Sequence, residues 1–198
     1  MSYSWPEFDT NYDAAVHAIG RMTVLWNVIE DEYNSLLVYC AGGGWGNHLF
    51  LTTELNNSQK IGLIRFHLKD TPERFGILAA PIERFLKNAQ ICGGNRNFYI
   101  HAYLAHDETT FVLSKKAQGK IGATNIILPS ISDLRKIADD MYNNAQFAKS
   151  IARLLRKNLF SPECLLNVEL PEEPAQPESW DLHPTRGIHQ AAKHPPQS

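Results

Sequence analysis

The chain has 198 residues and a formal charge of −2 at pH 7, long enough for one well-cored domain with extensions and short for two. An apolar content of 43% excludes a disordered chain, and the slight net acidity excludes a global attraction to nucleic acid, so any such binding falls to a local patch. Cys40, Cys92 and Cys164 are odd in number, widely spaced and free of any Cys-x-x-Cys pair, which points to reduced thiols in a cytoplasm and away from a zinc knuckle or disulfide framework.

The first residues, MSYSWPEFDT, lack the basic start and apolar run of a signal peptide. No stretch approaches the ~18 apolar residues of a membrane span, so the expectation is a cytoplasmic protein with no membrane partner. Thr10 and Asp13 resemble a capping box. Beyond them Tyr12, Val16, Ile19, Thr23, Trp26, Ile29, Tyr33, Leu37 and Cys40 recur every three or four residues and predict a long amphipathic helix. Glu30 falls on that stripe. Two readings are open: a carboxylate at the stripe's edge reaching water, or a buried acid paired with a cation such as Arg96.

Ala41 to Gly46, AGGGWG, reads as a helix C-cap and loop; no Lys-Ser/Thr follows and no strand precedes it, as a phosphate loop would need. A second helix is predicted from Asn47 to Lys69, with Leu51, Leu55, Ser58, Ile61, Ile64 and Leu68 on one side. Thr71-Pro72 then restarts the chain, Thr71 as N-cap and Pro72 in the first helical position. The third helix carries Phe75, Leu78, Ile82, Phe85, Ala89 and Cys92, with a kink expected at Pro81. Between Lys60 and Arg96 the lysines and arginines outnumber Asp70, Glu73 and Glu83 by about four.

Gly93-Gly94 leads into Asn95-Arg96-Asn97-Phe98-Tyr99-Ile100-His101. If Asn95 caps a fresh segment, free backbone amides lie beside Arg96, a favourable place for phosphate. If the helix runs through the glycines, that contribution disappears. After His106 the period changes: TTFVLSKK and ATNIILP, rich in β-branched residues, predict a β-hairpin inserted over about 108–129. Ser130 and Asp133 cap a last long helix with the stripe Leu134, Ile137, Met141, Ala145, Ala148, Ile151 and Leu155. Residues 161–198, rich in proline and polar side chains, read as a flexible tail. Its His183, His189 and His194 lack the regular spacing of a designed metal site, and no cofactor or metal is expected.

The expected fold is therefore all-α: residues 1–160 form an up-and-down bundle of four long helices, with a small β-hairpin before the last. Within it, Arg96, Asn97 and His101 are the candidate functional groups. Arginine offsets phosphate charge and histidine moves protons near neutral pH. Asn97 and His101, four apart, share a helical face; Arg96 lies about 100° round and must fold across to join them. A bare Arg-to-His spacing arises readily by chance. The adjoining asparagine, the place on the third long helix and the apolar residues between distinguish this one. Tyr99 and Tyr103 serve either the core or base stacking.

Arg96-Asn97-x-x-x-His101 resembles the R-N-x-x-x-H form of the arginine–histidine motif of HEPN-domain proteins. The order around it is similar too: two antiparallel helices, a third bearing the motif, an insertion, and a last long helix. Glu30 resembles the acidic residue that many members carry on the first helix. The resemblance implies a homodimer with both motif helices on one cleft. It also implies a metal-independent endoribonuclease of toxin or defence type, with an antitoxin or regulatory protein as a further partner. His101 would exchange protons with the 2′-hydroxyl and the leaving 5′-oxygen, Arg96 would stabilise the phosphorane-like transition state, and Asn97 would orient His101 or hold a phosphate oxygen. Other members of the family are catalytically silent, and the rival expectation is an interaction or nucleotide-binding module on the same dimer.

Overall fold

The computed structural model describes residues 4–40, 42, 52–100, 103–106, 111–116, 124–127, 130–160, 169–179 and 189–190. The described chain is mostly helical, and among its residues no helix is long and apolar enough to cross a membrane.

Helix α1 (Asn11–Cys40) starts at Thr10. The Thr10 hydroxyl accepts the Asp13 backbone N–H at 3.1 Å and donates to the Asp13 carboxylate at 2.7 Å. Aspartate is too short for the reciprocal bond of a capping box, so the two side chains bond each other instead. Helix α2 (Asn57–Asp70) has the complete box: Asn56 accepts the Gln59 N–H at 3.0 Å while the Gln59 side chain accepts the Asn56 N–H at 2.9 Å. That cap corrects the helix expected from Asn47, because 52–54 is a separate helical turn and α2 begins only after Asn56; residues 43–51 lie outside the described residues.

Thr71 stands at the N-cap of the next helix, as expected, with its carbonyl accepting the Arg74 N–H at 3.1 Å, and it also closes α2. Its amide (3.0 Å) and hydroxyl (3.1 Å) both donate to the His67 carbonyl, and its side chain makes no cap bond forward. Pro72 takes the first position of α3 (Pro72–Phe75), where a missing N–H loses no helical bond. Gly76, at φ +48, breaks the run, and a 3-10 turn over Gly76–Leu78 leads into α4 (Ala79–Ile100). Pro81 therefore stands in the first turn of α4, where its missing N–H loses no bond within that helix. Helix α5 (Ile131–Phe160) starts where Ser130 accepts the Asp133 N–H at 3.1 Å. Backbone pairing joins β1 (Tyr103–His106), β2 (Phe111–Lys116), β3 (Thr124–Ile127) and β4 (His189–Gln190), antiparallel and in that order, with Leu113 opposite Ile127.

The chain divides into two compact units, neither continuous in sequence. One comprises 1–23, 91–139 and 177–198; the other comprises 24–90 and 140–176. In the first unit the Trp5 ring has the guanidinium of Arg21 at 5.6 Å and that of Arg135 at 5.3 Å, and its indole N–H donates to Asp139 at 3.2 Å. His17 adds ring contacts to Trp5 and Phe8. These contacts seat the N-terminal segment through cation–π and aromatic packing.

The second unit holds most of the large buried side chains. Tyr33 and Phe85 pack at 5.5 Å, and Ile29, Ile64, Phe75, Leu78, Ile82 and Leu86 of the same unit are 0% exposed. Arg74 donates to the carbonyls of Tyr39 and Cys40, so a cation satisfies and charge-balances the C-terminus of α1. Arg65 and Glu83 form a two-pronged ion pair on the surface.

The stripes expected on the third and last helices are all buried. On α1 the stripe is rotated in its first turns. Ala15, Ala18, Met22 and Leu25 are buried while Val16 is 42% exposed, because alanines admit close neighbours and the core claims them over the larger valine.

Candidate functional site

Helix α4 is continuous through Gly93-Gly94 and is described to Ile100. Of the two geometries open at Asn95, the structure selects the unbroken one, so no helix N-terminus presents free amides beside Arg96. Asn95 has a different task. It is buried at 1% exposure, and its amide donates to the backbone carbonyl of Glu178 at 2.8 Å. Within the same unit Lys136 approaches Glu178 at 4.0 Å, and Pro177 is buried. These residues of the stretch expected to be a flexible tail are thus placed against the helices.

One turn past the glycines, Arg96 is half-buried and Asn97 exposed. The Arg96 Nη1 donates to the Asn97 side-chain oxygen at 2.9 Å. The guanidinium thereby crosses the angle between adjacent helical positions and comes onto the Asn97 face. Its Nε is enclosed without a hydrogen-bond partner, and among the described residues Arg96 has no carboxylate partner. An arginine with a free charge beside a neutral amide suits an oxyanion. His101, the proposed proton carrier, lies outside the described residues, as does the side chain of Tyr103. Tyr99 is 3% exposed and meets Phe98 edge-on at 5.1 Å. A ring so enclosed has no face open to a base, so of its two readings the core one fits.

Comparison with protein-family models, curated proteins and solved structures gave no match. The chemistry must therefore be read from this chain's own residues.

In the second unit Glu30 is half-buried and accepts two hydrogen bonds at one oxygen, from the Trp26 indole at 2.8 Å and the Asn57 amide at 2.6 Å. Both donors are neutral. The carboxylate ties α1 to the first turn of α2, a structural task. The buried acid on α1 is Glu32, at 7% exposure. Burial raises its carboxyl above the usual range, opposed by the positive charges of Lys149, Arg156 and Arg153. Sequence reading missed Glu32 because Glu30, not Glu32, falls on the visible stripe. The same burial pushes the Cys40 thiol up to about 12, against the pull of Arg74, so Cys40 is no nucleophile.

Two buried amides also escaped the sequence reading. Asn88 and Asn144 are both 0% exposed; Asn144 donates weakly to the Phe85 carbonyl at 3.5 Å, while neither amide atom of Asn88 has a partner among the described residues. Asparagine at a stripe position was the available signal. Among the described residues no group of three or more His, Cys, Asp or Glu side chains could hold a metal ion.

Proposed function

We propose that this chain is an endoribonuclease of HEPN type. It would act as a homodimer, without a metal ion, on RNA's own 2′-hydroxyl. The fold that goes with this reading is an up-and-down bundle of four long helices, with a hairpin insertion before the last. The observation that supports it most directly is the Arg96–Asn97 contact at 2.9 Å near the end of α4. It sets beside an exposed amide a cation that has no carboxylate partner among the described residues.

In this reading His101 takes the 2′-hydroxyl proton as the 2′-oxygen attacks phosphorus. The P–O5′ bond breaks, and a protonated imidazole from the facing subunit supplies the proton to the leaving oxygen. Arg96 stabilises the extra negative charge on the phosphorane-like transition state, and Asn97 holds Arg96 in place. The product ends are a 2′,3′-cyclic phosphate and a 5′-hydroxyl. Glu30 has no catalytic part in this scheme. It orients α2 against α1 through Asn57 and Trp26.

The test is cleavage of labelled single-stranded RNA in excess EDTA by wild type, Arg96→Ala and His101→Ala, each checked for folding. Cleavage by wild type alone, ending in cyclic phosphates, is the expected result; losses of at least about 100-fold are expected for removal of either group. Equal cleavage by all three would assign the activity elsewhere. Absence of cleavage by all three across several RNAs would replace this reading with the interaction module.

A further inference from the structure

The second unit carries a cationic face that the motif does not use. On α5, Lys149, Arg153, Arg156 and Lys157 fall within an arc of about 100° at 3.6 residues per turn. Arg153, Arg156 and Lys157 are exposed and Lys149 half-buried, and among the described residues none is in a salt bridge. In a chain whose net charge is −2, four cations on one face are a local excess, even though Lys149, Arg153 and Arg156 also act on the buried Glu32 carboxyl. A helix C-terminus attracts one or two such charges through its dipole, but that attraction fades within the last turn, and Lys149 and Arg153 lie deeper.

The face is also concave. Arg153, Arg156 and Lys157 border an open groove of about 400 Å³ whose apolar walls are Leu154 and Pro171, with Glu169 at its edge. That size, with two apolar walls among mostly polar and charged lining residues, suits a nucleotide unit better than a lone inorganic ion. Glu169 belongs to an acidic, proline-rich stretch that also brings Glu173 to 3.9 Å from Arg84. The chain's own carboxylates thus already lie against its cations.

We propose that this groove binds the phosphodiester backbone of single-stranded RNA, with Arg153, Arg156 and Lys157 on phosphates and Glu169 as a weak internal competitor. The inference rests on the RNA reading of the preceding section and supplies it with a substrate-holding surface. Arginine forks grip phosphate oxygens in two places and lysine adds a point charge. The apolar walls accept ribose and base without reading sequence.

The test is binding of the full-length protein to a fluorescent 2′-O-methyl oligoribonucleotide, followed by anisotropy over a series of salt concentrations. This probe has no 2′-hydroxyl nucleophile, so binding is read whether or not the chain cleaves RNA. The triple variant Arg153→Gln, Arg156→Gln, Lys157→Gln is expected to bind at least about 10-fold more weakly. The slope of log affinity against log salt should fall by about 2, from three lost phosphate contacts at roughly 0.7 each. Glu169→Gln is expected to bind a few-fold more tightly, an effect that misfolding would not produce. Unchanged affinity in the triple variant, a loss with unchanged salt slope, or no binding by wild type would each overturn the proposal. So would a preference for a poly-glutamate peptide over the RNA. Cation-dependent binding without any cleavage of ordinary RNA would leave this inference standing and remove the nuclease reading.

Discussion

The two stretches of α4 show what different sequences demand of one helix. From Ile82 to Cys92 the inward positions are sealed: Ile82, Phe85, Leu86, Asn88 and Ala89 are each 0% exposed and Cys92 is 1%. Past Gly93 only Asn95 and Tyr99 are buried to that degree, while Gly94 and Asn97 are exposed and Arg96 is half-buried. The first stretch is held by apolar transfer and close packing, which any loss of volume disturbs. In the second, Asn95 and Tyr99 keep the helix anchored while Arg96 and Asn97 reach toward solvent. Tight packing and exposed polar side chains are thus separated along a single element, and substitutions can test the separation.

The largest effect belongs to the packed stretch. Phe85→Ala removes a ring that lies 5.5 Å from Tyr33, and the cavity left behind costs about 3–5 kcal/mol in urea denaturation. Asn97→Ala, on the exposed side, should change stability by less than about 0.5 kcal/mol. Equal losses at the two sites would break the comparison, because the motif stretch would then be as structural as the core.

Asn88 sharpens it from the other direction. Its amide is enclosed with both polar atoms unpartnered among the described residues, so an apolar side chain of similar shape escapes a desolvation cost of about 1–3 kcal/mol. Asn88→Leu should raise the thermal midpoint. A fall instead would mean that the amide is satisfied in solution and belongs to the packing as it stands. Next in size is the α2 cap: Asn56→Ala removes the side-chain acceptor of the Gln59 N–H and should cost about 1 kcal/mol.

These sites also show how far the sequence could be read. The stripes of α4 and α5 were legible because bulky residues recur at helical spacing. The first turns of α1 were not, since a reader weighs Val16 and Ile19 above Ala15 and Ala18, while packing favours what fits. The continuity of α4 through Gly93-Gly94 was equally hidden. Each glycine costs about 1 kcal/mol relative to alanine in a helix, and only tertiary burial, visible at Cys92 and Asn95, outweighs it. The motif was legible as three letters and a spacing. The turn of Arg96 onto Asn97 depends on a rotamer, and the anchoring of Asn95 on Glu178 spans 83 residues. Neither leaves a local trace.

The smallest effect tests the two acids of α1, only one of which the stripe made visible. Burial raises the Glu32 carboxyl above its ordinary value. The folded protein therefore holds that proton more firmly than the unfolded chain does. Between the unfolded value and the raised folded one, folding takes up protons, so stability falls as pH rises through that window and levels off above it. Glu32→Gln removes the titration and should flatten this part of the stability–pH curve, measured by urea denaturation from about pH 4 upward. Glu30→Gln should lower stability near neutral pH, because the Trp26 and Asn57 donors lose a charged acceptor for a neutral one. A curve left unchanged by Glu32→Gln would mean that this carboxyl is hydrated in the folded protein and that the α5 cations act on it only through water.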